Sequence, residues 1–213
     1  EISPLGSFHL RVSFLVSSVK DIRTDAAEDA VSSLELAASF LESALTDDRY
    51  WKWFVVATHS AVQGIFVLAL KAGDGLLVQK LGVTQKRIAA YEADTRPPLP
   101  HMDNFFNLYK KLHKKENLRS SDSVPIQPSE VHEQAVKSLD ELRDEFLHFN
   151  AKSWSIEREL IFVSVRGCLE LMEFIISKSS TIIWYEQNQK ERVHVALERL
   201  QLLLYVRNSA SSP

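Results

Sequence analysis

Helix-breaking residues are scarce in this chain and confined to a few places. Only six glycines and seven prolines occur among 213 residues, and most of the prolines lie near 97–100 and 125–128. A turn-rich β fold needs these residues often, because they supply the backbone angles of its turns. Helices need long stretches without them, because proline removes a backbone donor and clashes with the preceding turn. The sequence therefore predicts an all-α protein.

Apolar residues recur at intervals of three and four along these stretches, as expected for helices that bury one face. The first such pattern starts at Asp25, a residue type that caps helices well, and runs through Ala30, Leu34 and Leu41 to Ala44. Further helical segments are predicted from 49 to about 71, 76–92 (one or two short helices), 102–117, 129–150, 155–178 and 185–207. The segment ending near 71 is apolar on most sides, which predicts a central helix. We expect a bundle of about five to seven helices.

The same patterns set the domain boundaries. We predict a single all-helical domain over residues 25–207, followed by a flexible tail at 208–213. Residues 1–24 form a segment of uncertain structure, in which alternating apolar residues between Phe8 and Val16 favour a strand.

A single cysteine, Cys168, excludes an internal disulfide and any site built from several thiolates. It favours a reducing compartment, and we expect a cytoplasmic protein. No uninterrupted apolar run reaches the roughly 18 residues of a membrane span, so no membrane partner is expected. The scattered histidines and carboxylates show no metal-ligand spacing, and we predict neither a metal site nor a cofactor.

Positive charge is concentrated in residues 71–119. This region holds ten lysines and arginines against five acids, a balance of +5, whereas the whole chain carries −3 and the remainder therefore −8. A basic surface attracts phosphates, although solvated helix faces have the same composition. Lys86 and Arg87 in this region, together with Lys152, are our candidates for nucleic-acid contacts.

The predicted helix 129–150 carries one apolar stripe and a polar side. Stepping 100° per residue gathers six residues in one narrow sector: Val131, Ala135, Leu139, Leu142, Phe146 and Phe149. Val136 and Leu147 fall outside it, as do the polar residues Arg143, Asp144 and His148. Asp144 and His148 are four residues apart and share a face, whereas Arg143 and His148 differ by about 140° around the axis. A single rigid helix therefore does not aim both at one point, but two antiparallel copies of the chain would surround a common cleft with them.

The string Arg143-Asp-Glu-Phe-Leu-His148 resembles the marker of the HEPN superfamily, an arginine followed by a histidine after four to six intervening residues. Two longer strings are similar to uncharacterised bacterial HEPN-like proteins. The first is Asp48-Arg-Tyr-Trp-Lys-Trp-Phe54, with His59 and Gln63 downstream. The second is Leu142-Arg-Asp-Glu-Phe-Leu-His-Phe-Asn150, followed by Lys152-Ser-Trp-Ser-Ile-Glu157. The similarity covers roughly residues 47–175.

The resemblance implies a HEPN-like bundle that acts on RNA as a homodimer. If the site is active, the resemblance implies a metal-independent endoribonuclease of toxin or defence type, with an antitoxin or another protein as a further partner. His148 is then the general base or acid, Arg143 stabilises the phosphorane charge, and Asp144 orients His148 or a water molecule. Phe149 and Asn150 follow the histidine where several nucleases have a tyrosine two places on, which leaves the proton donor for the leaving group open.

Two other functions remain open on the sequence. Many HEPN-like proteins act as non-catalytic interaction modules, and in that case Arg143 and Asp144 are ordinary surface residues with His148 near a helix end. The segment 74–93 also resembles a helix-turn-helix DNA-binding regulator, with Gly82 as the turn and Gln85 opening the recognition helix. His59 and Gln63, four residues apart on an apolar helix, are interpreted as a hydrogen-bonded pair.

Overall fold

The computed structural model describes residues 24–71, 73–148, 153 and 155–210. Within them the chain forms seven α-helices: α1 (Ala26–Ala44), α2 (Trp51–Leu70), α3 (Leu81–Glu92), α4 (Phe105–Lys111), α5 (Glu130–Leu147), α6 (Arg158–Ser177) and α7 (Gln187–Ala210). Two short 3₁₀ turns (Asp48–Tyr50 and Lys115–Asn117) and a bridge between Gln79 and Met102 lie between them. The predicted all-α bundle of five to seven helices is confirmed. The strand predicted near residues 8–16 lies outside the described residues, and α7 extends to Ala210, so residues 208–210 of the predicted tail are helical.

Helix α2 is the centre of the bundle, as its sequence predicted. It packs against α1, α4, α5 and α6. Its residues Phe54, Ile65 and Phe66 are fully buried. With the preceding turn, the stretch Asp48–Leu70 is long and apolar enough to cross a membrane by composition alone, yet 56% of that window is buried inside the bundle. The core helix of a soluble protein has this same composition.

Helices α1 and α7 run parallel and are joined by a ladder of ion pairs. The guanidinium of Arg192 binds Glu28 at 2.8 Å and Glu35 at 2.7 Å, and Arg199 binds Glu42 at 2.5 Å. The glutamates are spaced seven residues apart on α1 and the arginines seven apart on α7, so each set lies on one helix face. The ladder fixes the register in which the apolar faces of the two helices meet.

Helices α5 and α6 run antiparallel and cross very closely. A Cβ atom added to Gly167 on α6 would lie 2.6 Å from the Cβ of Ala135 on α5. Beyond the crossing, His132 Nε2 lies 3.0 Å from Glu170 Oε2. This antiparallel pairing brings the end of α5, which carries His148, beside the start of α6.

The buried side of α5 differs from the stripe predicted for it. Val136, assigned to the outer side, is fully buried, whereas Val131, assigned to the core, is 68% exposed. Helix α5 contacts α2 and α4 as well as α6, so its buried sector is wider than a single stripe and is shifted around the axis. Ala135, Leu139 and Leu142 are buried as predicted.

The helix-turn-helix prediction is wrong in its central feature. Gly82 does not form a turn, because it lies in the first turn of α3, and the residues just before Leu81 are not helical. Ala90 is the one buried residue of α3. The helix therefore lies on the surface, and the described segment directly before it is not the paired helix that such a DNA-binding module requires.

Candidate functional site

The side chain of His148 lines a surface cleft of about 600 Å³. His148 directly follows the last turn of α5 and is exposed. The other walls are formed by the 3₁₀ turn and first residues of α2, and by the segment that leads into α6. Three segments that are distant in sequence therefore meet around one histidine.

Cationic side chains share the cleft with this histidine. Three of them line the cleft: Arg49, Lys52 and Arg158. Two carboxylates, Asp48 and Glu145, also line it, so the formal charge of the lining is 3 − 2 = +1 when His148 is neutral. A lining of net positive charge raises the local concentration of anionic ligands.

The guanidinium of Arg158 is held by Asp48 and by the ring of Trp51. Its Nη2 donates to Asp48 Oδ1 at 2.6 Å, and its central carbon lies 5.6 Å from the ring of Trp51. Trp51 is buried, stacks edge-on against Phe162, and donates its Nε1–H to the same Asp48 oxygen at 3.2 Å. The contacts of Trp51 with Asp48, and of Asp48 with Arg158, hold the Arg158 guanidinium in the lining of the cleft. Because this guanidinium is already held, binding an anion there costs less entropy.

Arg143 occupies a second polar cluster, between α5 and α2. Its Nη2 donates to Asp140 Oδ1 at 2.9 Å and its Nη1 to Asp144 Oδ1 at 2.5 Å. Nη2 also lies 3.3 Å from Nε2 of His59, and that imidazole nitrogen lies 2.9 Å from Asp140 Oδ1. The His59 ring packs against Phe105, with 4.2 Å between ring centroids. The expected pairing of His59 with Gln63 is wrong: the partner of His59 is Asp140, on another helix.

Burial and hydrogen bonding decide the ionisation of this cluster. Burial lowers the pKa of His59, against the opposing effect of its hydrogen bond to Asp140. Burial alone would raise the pKa of Asp140, but its hydrogen bonds with His59 and Arg143 and the charge of Arg143 hold it below its ordinary value. A neutral His59 therefore donates its Nε2–H to an ionised Asp140. With Arg143 and the two carboxylates charged, the cluster has a formal charge of 1 − 2 = −1.

The structure thus places the three predicted catalytic residues in two different surroundings. Arg143 and Asp144 are joined by an ion pair, whereas His148 faces the cleft. Among the described residues no hydrogen bond joins the His148 imidazole to either of them. The backbone N–H of His148 donates to the Asp144 carbonyl at 2.9 Å, and this is the last helical hydrogen bond of α5. Arg143 also faces α2 of its own subunit, so part of the polar side of α5 is covered within the chain.

The predicted nucleic-acid contacts do not gather at this cleft. Lys86 is exposed on α3. Arg87 donates to the carbonyl of Pro98 at 2.7 Å and to the hydroxyl of Tyr91 at 2.8 Å, so it fastens α3 to the following loop. Lys152 lies outside the described residues.

Sequence reasoning missed Arg49, Lys52 and Arg158 as site residues. The signal for them was the pair of strings that carry the HEPN resemblance. Arg49 and Lys52 lie inside the first string, and Arg158 directly follows the second. The two strings meet at the cleft because α5 and α6 pair antiparallel beside the start of α2.

In the described part of the chain, no group of three or more histidine, cysteine or acidic side chains is arranged to hold a metal ion.

No protein-family model, curated protein or solved structure matches this chain. Function therefore has to be inferred from its own side chains.

Proposed function

We propose that this chain is a HEPN-like protein that binds RNA and cleaves it without a metal ion, acting as a cytoplasmic homodimer of toxin or defence type. The observation that supports it best is the place of His148, an exposed imidazole in a cleft lined by three cations. An imidazole has one ring nitrogen that can accept a proton and one that can donate it, as general acid–base catalysis requires. The cations supply the attraction for a phosphodiester.

The chemistry uses the 2′-hydroxyl of the substrate itself. His148 takes the proton of that hydroxyl while its oxygen forms a bond to the adjacent phosphorus. The bond from phosphorus to the 5′-oxygen breaks, and a proton donor protonates the departing oxygen. The products are a 2′,3′-cyclic phosphate and a 5′-hydroxyl. A guanidinium that donates to the phosphorane oxygens stabilises the charge of the transition state.

Arg143 needs a second copy of the chain to take that role. Within one subunit its guanidinium is bound to Asp140 and Asp144, and Arg143 is not among the described residues that line the cleft. A two-fold axis along the polar side of α5 would bring Arg143 of one copy toward His148 of the other. Sedimentation velocity at the concentration used for cleavage tests this arrangement, and a strict monomer there excludes it.

The catalytic proposal is tested by incubating the purified protein with transfer RNA and total RNA in EDTA. We expect cleavage that leaves cyclic phosphate ends, and we expect His148→Ala to abolish it. His101→Ala is the matched control, because it removes an exposed imidazole outside the cleft. Arg143→Lys, with circular dichroism as a check of folding, tests the guanidinium. Cleavage by His148→Ala at the wild-type rate contradicts the proposal.

A second candidate is a non-catalytic HEPN-like module that binds RNA or an antitoxin-like partner protein. The neutralisation of Arg143 by two carboxylates of its own helix favours it, since the predicted catalytic pair is not assembled in one subunit. RNA binding without cleavage in the same assay selects this candidate over the nuclease.

A further inference from the structure

We propose that Arg49 and Arg158 form a phosphate subsite in the His148 cleft, which holds one unstacked nucleotide of the RNA next to the bond that is cut. The identity of the polymer rests on the proposed function. The subsite itself rests on the cleft, its charges and the ordering of the two guanidiniums.

The turn before α2 orders both arginines. Asp47 accepts hydrogen bonds from the Arg49 backbone N–H and from its Nε, both at 3.0 Å. Asp48, the next residue, holds Arg158 at 2.6 Å and is itself anchored by the indole of Trp51. Two adjacent acids therefore each bind one guanidinium at one edge of the cleft. A guanidinium presents five N–H donors in a planar fork, so a carboxylate and a phosphate can share it.

Part of the lining of the cleft is apolar. Phe146, Ile156 and Ile161 line it, and Phe146 and Ile156 also pack against the hydrophobic core. A nucleotide has the matching division, with an anionic phosphate at one end and a flat, largely apolar base at the other. A base laid on an aromatic or aliphatic wall is recognised through its face, which every base offers.

The size of the cleft limits the ligand to a small unit. Its volume of about 600 Å³ lies within the range of roughly 300–1,000 Å³ that small-molecule sites occupy. A duplex keeps its bases stacked inside and is recognised over extended grooves. The cleft therefore suits a nucleotide that has left its stack.

An acidic groove beside the cleft directs the phosphate to the arginine edge. A groove of about 440 Å³ adjoins the cleft between α5 and the start of α6, and it is lined by Glu141, Glu145 and Glu157 without a lysine or arginine among the described residues. These three carboxylates repel a phosphodiester, whereas at the Arg49 and Arg158 edge each acid is matched by a guanidinium.

Binding of an uncleavable ligand tests the subsite independently of catalysis. The probe is a short fluorescent single-stranded 2′-O-methyl RNA, which lacks the attacking hydroxyl, and affinity is read by anisotropy at several salt concentrations. We expect Arg158→Ala and Arg49→Ala each to weaken binding by about tenfold, as loss of a hydrogen bond to a charged group does. Each variant should also reduce the salt slope by about 0.7, the value for one phosphate contact on a single strand.

Arg166→Ala is the matched control, since Arg166 lies on α6 two turns beyond Arg158 and lines a different groove. It should bind within about twofold of the wild type. Arg49 is 89% exposed, so its variant reports on binding even if Arg158→Ala impairs folding. The inference is overturned if Arg49→Ala binds as tightly as the control, or if a 2′-O-methyl duplex of the same sequence binds as tightly as the single strand. If the variants bind the probe as expected but the wild-type protein does not cleave RNA, only the catalytic form of the proposed function is refuted.

Discussion

Replacing Gly167 with alanine is expected to destabilise the bundle, although alanine is the better helix former. The new Cβ atom would lie 2.6 Å from the Cβ of Ala135. Carbon atoms in contact are ordinarily about 3.5–4.0 Å apart, so α5 and α6 must separate by about 1 Å. Neither methyl group can rotate away, because each is fixed directly to a helix backbone.

Two opposing terms set the magnitude. Overpacking of this kind costs about 1–3 kcal/mol, and the helix propensity of alanine over glycine returns about 1 kcal/mol. Gly167→Ala should therefore lose about 1 kcal/mol of unfolding free energy. Ala135→Gly should lose about 2 kcal/mol, from propensity and from the buried methyl group. In the double variant the methyl group is moved from Ala135 on α5 to position 167 on α6, so the crossing still contains one methyl group. The stability of this variant should lie within about 1 kcal/mol of the wild type.

Urea unfolding followed by circular dichroism measures all four proteins. Gly82→Ala on α3 is the control, since a Cβ atom there meets nothing within 4 Å, and it should be neutral or stabilising by up to about 1 kcal/mol. If the double variant loses the sum of the two single losses, the residues do not touch across the crossing and the reasoning is refuted.

Three further predictions concern stability and reactivity. Because burial lowers the pKa of His59, the folded state binds fewer protons than the unfolded state. The contribution of His59 to stability should be fully present above about pH 6.5 and should fall below that pH, by at most about 1.4 kcal/mol per pH unit. His59→Gln should flatten this dependence of the unfolding free energy on pH, measured by urea titration. Arg192→Met should cost about 1 kcal/mol through its partly exposed pairs with Glu28 and Glu35, and most of that loss should vanish in about 1 M salt, where screening is strong. Burial raises the pKa of Cys168, so this thiol should react with Ellman's reagent only after unfolding, and rapid labelling of the native protein would contradict its placement.

The fold was predictable because each helix carries its signal locally. Helix α2 is apolar on most sides and lies at the centre, and Asp25 caps α1 as predicted, with its carboxylate accepting from the backbone of Ala27 and Glu28. The stripe on α5 was only partly predictable. Periodicity locates an apolar sector, but the neighbouring helices decide how wide the buried sector is, and α5 packs against α2, α4 and α6.

The candidate site was less predictable, because its parts come from separate segments. The sequence showed that Arg143 and His148 point in different directions on one helix. It did not show that His59 and Asp140 would hold Arg143, or that Arg158 would lie beside His148. Those contacts depend on how α2, α5 and α6 cross, which single-sequence periodicity does not encode.

Asp144 separates the role predicted from sequence from the role its contacts indicate. If Asp144 orients His148, Asp144→Asn should slow cleavage and leave RNA affinity unchanged. Its observed partner is Arg143, at 2.5 Å, so we expect Asp144→Asn to change the cluster charge from −1 to 0 and to bind RNA more tightly. Glu141→Gln removes the same charge from the same helix without contacting Arg143, and it measures the general electrostatic gain. An Asp144→Asn affinity no higher than that of Glu141→Gln would show that Arg143, even when partly released, takes no part in holding the phosphate.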